Sequence, residues 1–354
     1  MRHLLTVTLV LMFLPLVADS FPTPQLPWGP LTYTACQTTG ELLMDGRLDE
    51  PDWQAAPWTA DFVDIEGDLK PAPFLRTRAK LLWDKDFLYI GAELEEPHIW
   101  ATLSQRDAVI FHDNDFEVFI DPDGDTHDYY ELEINAMGTL WDLLLIKPYR
   151  DRQQVAVNAW DIREIEYGIH IDGSLNDPSD LDKAWFVELK IPLSTLAECA
   201  HKPVPPLQGD WWRLNFSRVH WQTEGVDGSY RKIPGRPECN WVWSPQGLIA
   251  MHYPERWGYL FFAHAPSGSE ISFAIPALEH RKEALRQLYY LQKEHHAQKG
   301  RYARSLRSLA IPEALMALLS PAPRIESTSQ SYIITLPATD EFPALHIRED
   351  GLLW

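Results

Sequence analysis

The sequence predicts a mainly β protein: an antiparallel β-sandwich of immunoglobulin or jelly-roll-like kind, with a small carboxy-terminal α+β appendage. Three observations predict it. Short runs alternating apolar and polar residues recur from Cys36 to about Phe262, with polar turns between them. Helical periodicity is scarce in that stretch. After Phe262 the pattern changes, and apolar residues recur at the helical period up to Gly300.

Taken in chain order, residues 1–20 read as a signal peptide. Arg2 and His3 give a weakly positive start, Leu4 to Val17 are almost wholly apolar, and small residues follow at Ala18 to Ser20. The apolar run is short for a membrane span, so a secreted or periplasmic location is expected. Residues 21–30 are Pro-rich and suit an extended leader. The sandwich is expected over residues 34–262. Within it, Leu88 to Glu96 alternate at period two. Asp115 to Asp121 place Phe116, Val118 and Ile120 on one face and Glu117 and Phe119 on the other. Two strand-like runs flank Met137-Gly138 as a hairpin. Residues 263–276 carry Pro, Ser and Gly and read as a linker. The appendage, 277–354, opens with a helix bearing Leu278, Ala284, Leu285, Leu288, Tyr289 and Leu291, stopped at Gly300. A second helix is expected over about 302–319, then two strands, in "SYIITLPA" and "ALHIREDGLLW". The basic groups of the first helix suit either docking on the acidic front of the chain or a solvated face.

The composition narrows function. The chain has 354 residues, is 45% hydrophobic and carries a formal charge of −20. That charge argues against nucleic acid and anionic membranes as partners, since phosphate binding needs clustered Lys and Arg. It suits cations and uncharged ligands, or solubility alone. The three cysteines, Cys36, Cys199 and Cys239, fit no zinc spacing. An exported chain can pair two of them, Cys36 with Cys239 because both flank the sandwich, or keep three thiols.

Chemistry concentrates between Asp107 and Asp142. Asp121, Asp123 and Asp125 occupy alternate positions of "DPDGD", a pattern of oxygen ligands on a Gly-containing turn that suits a structural Ca2+. Favourable turn residues alone would give the same string. Asp113, Asp115 and Glu117 alternate along one strand, as do Glu131 and Glu133 on the next. Such carboxylates can accept hydrogen bonds from sugar hydroxyls, serve as acid and base in glycoside hydrolysis, or form an acidic surface. Tryptophan is abundant, with 15 copies, and Trp211, Trp212, Trp221, Trp241, Trp243 and Trp257 crowd the end of the sandwich. Indole faces stack on pyranose rings, and equally fill cores. Asn135, Asn215, Arg218 and Asn240 are polar neighbours suited to hydroxyls. Nucleotide loops, HExxH, nucleophile elbows and CxxC pairs are missing from the sequence.

Several strings together resemble the family 9-like carbohydrate-binding domain: "MDGRLDEPDW", "LLWDKDFLYIGAELEEPHIW", "NDFEVFIDPDGDTHDYYELEINAMGTLWDLLL", "NFSRVHW" and "NWVWSPQGLIAMHYPERWGYLFF", from about Thr34 to Phe262. The resemblance implies a calcium-bearing β-sandwich with a slot between two aromatic side chains that grips glycan chain ends. It also implies an exported bacterial protein, in a setting of plant-type polysaccharide breakdown. On this chain the first slot aromatic falls on Phe111, where the family has Trp. The hydroxyl-binding acid falls on Glu117, the Asn on Asn135, and a further polar contact near Asn215. Glu133 stands where the family has Arg. The second aromatic falls on Trp241 or Trp243, with Asn240 beside it. The expected function is therefore binding of poly- or oligosaccharide. A glycoside hydrolase, and a cell-envelope interaction module docking through the appendage, are the alternatives.

Overall fold

A computed structural model describes residues 20–151 and 154–354. The segment read as an export signal lies, but for its last residue, outside the described residues. The expected sandwich is present. One leaf is hydrogen-bonded in the order β6 (Leu140–Leu145), β5 (Tyr129–Asn135), β4 (Asp115–Asp121), β9 (Trp211–His220), β11 (Gly258–Pro266) and β1 (Thr32–Gln37). The other leaf runs β2 (Thr77–Trp83), β3 (Phe87–Glu95), β8 (Ala184–Pro192) and β7 (Glu166–Asp172). A shorter strand, β10 (Cys239–Val242), pairs with the end of β9. Pairing is antiparallel except at β1, which lies parallel to β11 through Thr32–Ala35. A bulge between Ala35 and Gln37 then carries β1 across to β2, joining the leaves.

Alternation sets which side chains meet between the leaves. Phe116, Val118 and Ile120 of β4, Leu132 and Ile134 of β5, and Leu214 and Phe216 of β9 pack against Leu81, Ile90, Ala92, Val187 and Leu189. Trp83, Trp185, Trp212 and Trp243 are fully buried in the same core. Removing one such indole would cost about 3–5 kcal/mol. The remaining positions of β4, β5 and β9 point to the outer face of their leaf: Asp115, Glu117, Phe119, Glu131, Glu133 and Ser217.

The chain around the expected linker is not free. β11 continues to Pro266, Ser267 donates its N–H to the Gln37 carbonyl, and Phe273 stacks on Phe261 at 5.5 Å. The appendage begins with α1 (Ala277–Lys299), ending at Gly300 in the left-handed conformation (φ 67°) as its sequence predicts. Leu285, Leu288 and Tyr289 pack over a three-stranded sheet of β12 (Arg324–Ser327), β13 (Tyr332–Leu336) and β14 (Leu345–Arg348). The second helix expected over 302–319 is instead a 3-10 turn at Leu306–Ser308 and a short α2 (Glu313–Leu318). Pro312 lacks an N–H and disfavours the helical conformation at Ile311, so a continuous helix cannot form. β12 escaped the sequence reading because its four residues carry a single aliphatic side chain.

The first helix docks on the chain's own sandwich through both signs of charge. Its Glu279 lies 3.6 Å from Arg213 and accepts from Tyr259 at 3.0 Å, and its Lys293 pairs with Asp151. Cys36, Cys199 and Cys239 are all free thiols, so the Cys36–Cys239 pairing is not made. Among the described residues no helix is long and apolar enough to cross a membrane.

Candidate functional site

A cavity of about 470 Å³ opens on the outer face of the β4–β5–β9 leaf. Its floor is acidic because three adjacent strands bring their outward positions into line. Glu117 faces Glu133 across the β4–β5 ladder and Ser217 across the β4–β9 ladder, and Glu131 faces Phe119. Its walls are Phe111 and Trp141 on one side, Tyr149, and the loop Ile249–His252, with Glu238 and Asn240 at a further edge. Phe111 and Trp141 are in contact, their ring centroids 6.5 Å apart. Phe111 is held in place by its backbone. Its N–H donates to Glu133 at 2.9 Å, and its carbonyl accepts the Trp221 indole N–H at 2.8 Å.

The floor carboxyls are poor acids. Burial pushes Glu117 up to about 7, with Ser217 opposing. Burial, and then the charge of Glu117, raise Glu131, Glu133 and the adjacent Asp115 well above the usual carboxylate range. Oxygens of Asp115, Glu117 and Glu133 lie within 4.8 Å of one another. Asp115 accepts the Val219 N–H through Oδ1, and its buried Oδ2 has no hydrogen-bond partner. His252 in the wall is kept neutral, its imidazole lowered to about 3 by burial and by Arg150.

The residues singled out in sequence divide sharply. Phe111, Glu117 and Asn240 line the cavity. Trp241 and Trp243 do not: they are 2% and 1% exposed, Trp241 stacked on His220 and Trp243 packed near Phe216. β10 is short and lies against the end of β9, which turns both indoles into the core. Asn135 and Asn215 are wholly buried and hold the backbone. Asn135 receives the Met137 and Thr139 N–H groups and donates to the Leu103 carbonyl. Asn215 bridges to Ser244 in both directions. Arg218 is sealed against Glu96 and Thr77. Asp113 is saturated by Thr102, Leu103 and Asn135. The aromatic surface that sequence reasoning missed is Trp141 and Tyr149. Trp141 was within reach, since the tight Met137-Gly138 hairpin sets it opposite Glu133. The loop Ile249–His252 gave no local signal.

The turn of Asp121, Asp123 and Asp125 lies at the other end of β4, with three carboxylate oxygens within 4.8 Å of one another. Gly124 adopts φ +74°, and a Cβ there would meet the Trp211 ring at 2.9 Å. Asp121 accepts the Gly124 and Thr126 N–H groups, both at 2.9 Å. Burial, then the neighbouring acids, raise Asp123 to about 9 and Asp125 to about 7. This all-oxygen, crowded donor set fits a hard divalent cation such as calcium.

Residues 44–205 match the family described as "Carbohydrate family 9 binding domain-like". No curated protein matches the chain. Among solved structures, the chain is similar to a Bacteroides uniformis ATCC 8492 protein to which carbohydrate binding is attributed. Identity is 17% and the TM-score 0.49, over 66% of this chain and all of that one. It is also similar to a family 9 carbohydrate-binding module from Caldicellulosiruptor kristjanssonii solved with cellotriose (14%, TM-score 0.43, 69% of this chain and all of that one). The same holds for a module from that organism solved with glucose (16%, TM-score 0.42, 68% and all). The matched segment supplies Phe111, the acidic floor and Trp141, while Ser217, Asn240 and the Ile249–His252 wall lie beyond it. The likeness to the carbohydrate family 9 binding domain-like family is thus carried by residues 44–205, short of half of the chain.

Proposed function

We propose that this protein is an exported carbohydrate-binding protein that takes a poly- or oligosaccharide, of the plant type met in polysaccharide catabolism, into the groove over Glu117, Glu131 and Glu133. The observation that carries the reading is the groove's make-up: a floor of hydrogen-bond acceptors beneath an aromatic wall of Phe111, Trp141 and Tyr149. Aromatic faces cover the apolar faces of a pyranose, and carboxylates accept from its hydroxyls. The family match over residues 44–205 supports the same reading. Export rests on the apolar amino-terminal sequence. Titrating the mature protein with a panel of soluble gluco- and xylo-oligosaccharides should quench tryptophan fluorescence, and Trp141→Ala should abolish most of the quench. A flat response across the panel would remove the proposal.

Hydrolysis is the weaker reading. The family matched over residues 44–205 is described as a binding domain, which favours binding over acid–base chemistry at these carboxyls. Asp121, Asp123 and Asp125 would hold a calcium ion whose charge relieves their mutual repulsion and fixes the turn. An envelope partner would meet the appendage on the side that α1 leaves exposed.

A further inference from the structure

We propose that the groove is built for a cationic glycan, an amino sugar whose protonated amine seats among Asp115, Glu117 and Glu133. The proposal rests on the carbohydrate reading of the groove and deepens it. The starting observation is an imbalance of charge. Other buried acids of this chain are met by a basic side chain or by N–H donors. Glu96 has Arg218 and His220, Glu255 has Arg150, and Asp151 has Lys293. Asp142 has Arg106 and the Ile162 N–H, and Glu188 receives Trp53 and Gly46. The groove floor also has N–H donors, Phe111 to Glu133 and Val219 to Asp115, but it gathers several acids with no basic side chain among them. Among the described residues lining it there is neither Lys nor Arg, and its histidine is neutral.

A second, independent observation points to a ligand. Asp115 is wholly buried, yet its Oδ2 has no partner, and the Asp115, Glu117 and Glu133 oxygens converge within 4.8 Å. A buried acceptor left unpaired costs about 1–3 kcal/mol, so a donor is expected to complete it. Three convergent acceptors match the three N–H bonds of an ammonium, and charge assistance makes such bonds about twice as strong as neutral ones. A bare metal ion would satisfy the oxygens but leave the rest of a 470 Å³ cavity and its aromatic wall without a role. A sugar ring carrying the amine uses all three features. No covalent bond is made or broken; the amine arrives protonated, and the carboxyls that burial raises release protons to solvent as its charge takes their place.

The test compares three trisaccharides by calorimetry near pH 6 in buffer containing calcium: chitotriose with free amines, its fully N-acetylated form, and cellotriose. Chitotriose should bind at least about tenfold more tightly than either neutral sugar, and Glu133→Gln should bring that ratio close to one. The wild-type comparison stands alone if the variant does not fold. Equal binding of cellotriose, or of the acetylated sugar, overturns the amine subsite while leaving the carbohydrate reading intact. Chitotriose preference that Glu133→Gln does not alter overturns the assigned seat. Calcium titrating into the floor with no response to chitotriose overturns the proposal in favour of a metal. Failure of all three sugars, and of the wider glycan panel, sinks both readings.

Discussion

Two acidic clusters sit at opposite ends of the same strand, and they are different objects. At the far end of β4, Asp121, Asp123 and Asp125 follow one another along a single turn. Their oxygens are taken up by the turn's own N–H groups, Asp121 lies in the field of Arg213, and Asp125 in that of Arg286. The appendage closes over them, with Leu353 donating to the Asp125 carbonyl and Thr126 to the Gly351 carbonyl. At the near end, Asp115, Glu117, Glu131 and Glu133 come from two strands; Glu117, Glu131 and Glu133 line an open cavity that holds no Lys or Arg among its described lining residues, and Asp115 lies against Glu117 and Glu133. Local satisfaction makes the turn part of the scaffold. Incomplete satisfaction beside a cavity makes the floor a place for something from outside.

If that contrast holds, stability should respond at the turn and binding at the floor. The largest effect is expected from Asp121→Ala, which strands the Gly124 and Thr126 N–H groups. It should cost about 3 kcal/mol in a urea titration, with the appendage loosening too. An unchanged midpoint would erase the distinction. Next comes calcium: chelation should lower the melting temperature, by the equivalent of about 2.7 kcal/mol if calcium stood at a hundred times its Kd. Asp121→Ala should no longer respond to the chelator.

At the floor the scale is smaller and the readout differs. Trp141→Ala should weaken glycan binding about tenfold, roughly 1.4 kcal/mol. Its effect on the urea midpoint should be slight, because the indole is only half-buried on the rim. The smallest effect is one of pH. The Glu117 carboxyl is raised to about 7 in the folded chain, so the folded state holds its proton more tightly than the unfolded state does. Stability is then full below the ordinary glutamate range and falls as pH rises towards 7. Glu117→Gln should flatten, in part, the fall in urea midpoint between pH 5 and pH 8. A steeper fall in the variant would reverse the sign of the argument.

The two clusters also differ in how far the sequence revealed them. The turn is a matter of neighbours: alternate aspartates around Gly124 are visible as a string and stay together once folded. The floor was half visible. Period-two alternation set Glu117 on one side of its strand and Glu131 with Glu133 on one side of the next; the pairing that brings Glu117 opposite Glu133 belongs to the fold. Which aromatics stand beside them was a different kind of question. The indole-rich segment after Arg218 promised a sugar platform, yet Trp241 and Trp243 fill the core, while Trp141 and Tyr149, which the sequence reading passed over, line the cavity.

The sequence by itself determined the alternation that makes a sandwich, the stop of α1 at Gly300, and the acidic faces of β4 and β5. Each follows from backbone periodicity or from a conformation only certain residues adopt. The tertiary structure alone decided which tryptophans are core, that Asn135 and Asn215 hold backbone, and that Ile249–His252 folds over the floor. Those outcomes depend on burial between segments far apart in the chain. No local pattern encodes which of two faces another part of the molecule will cover.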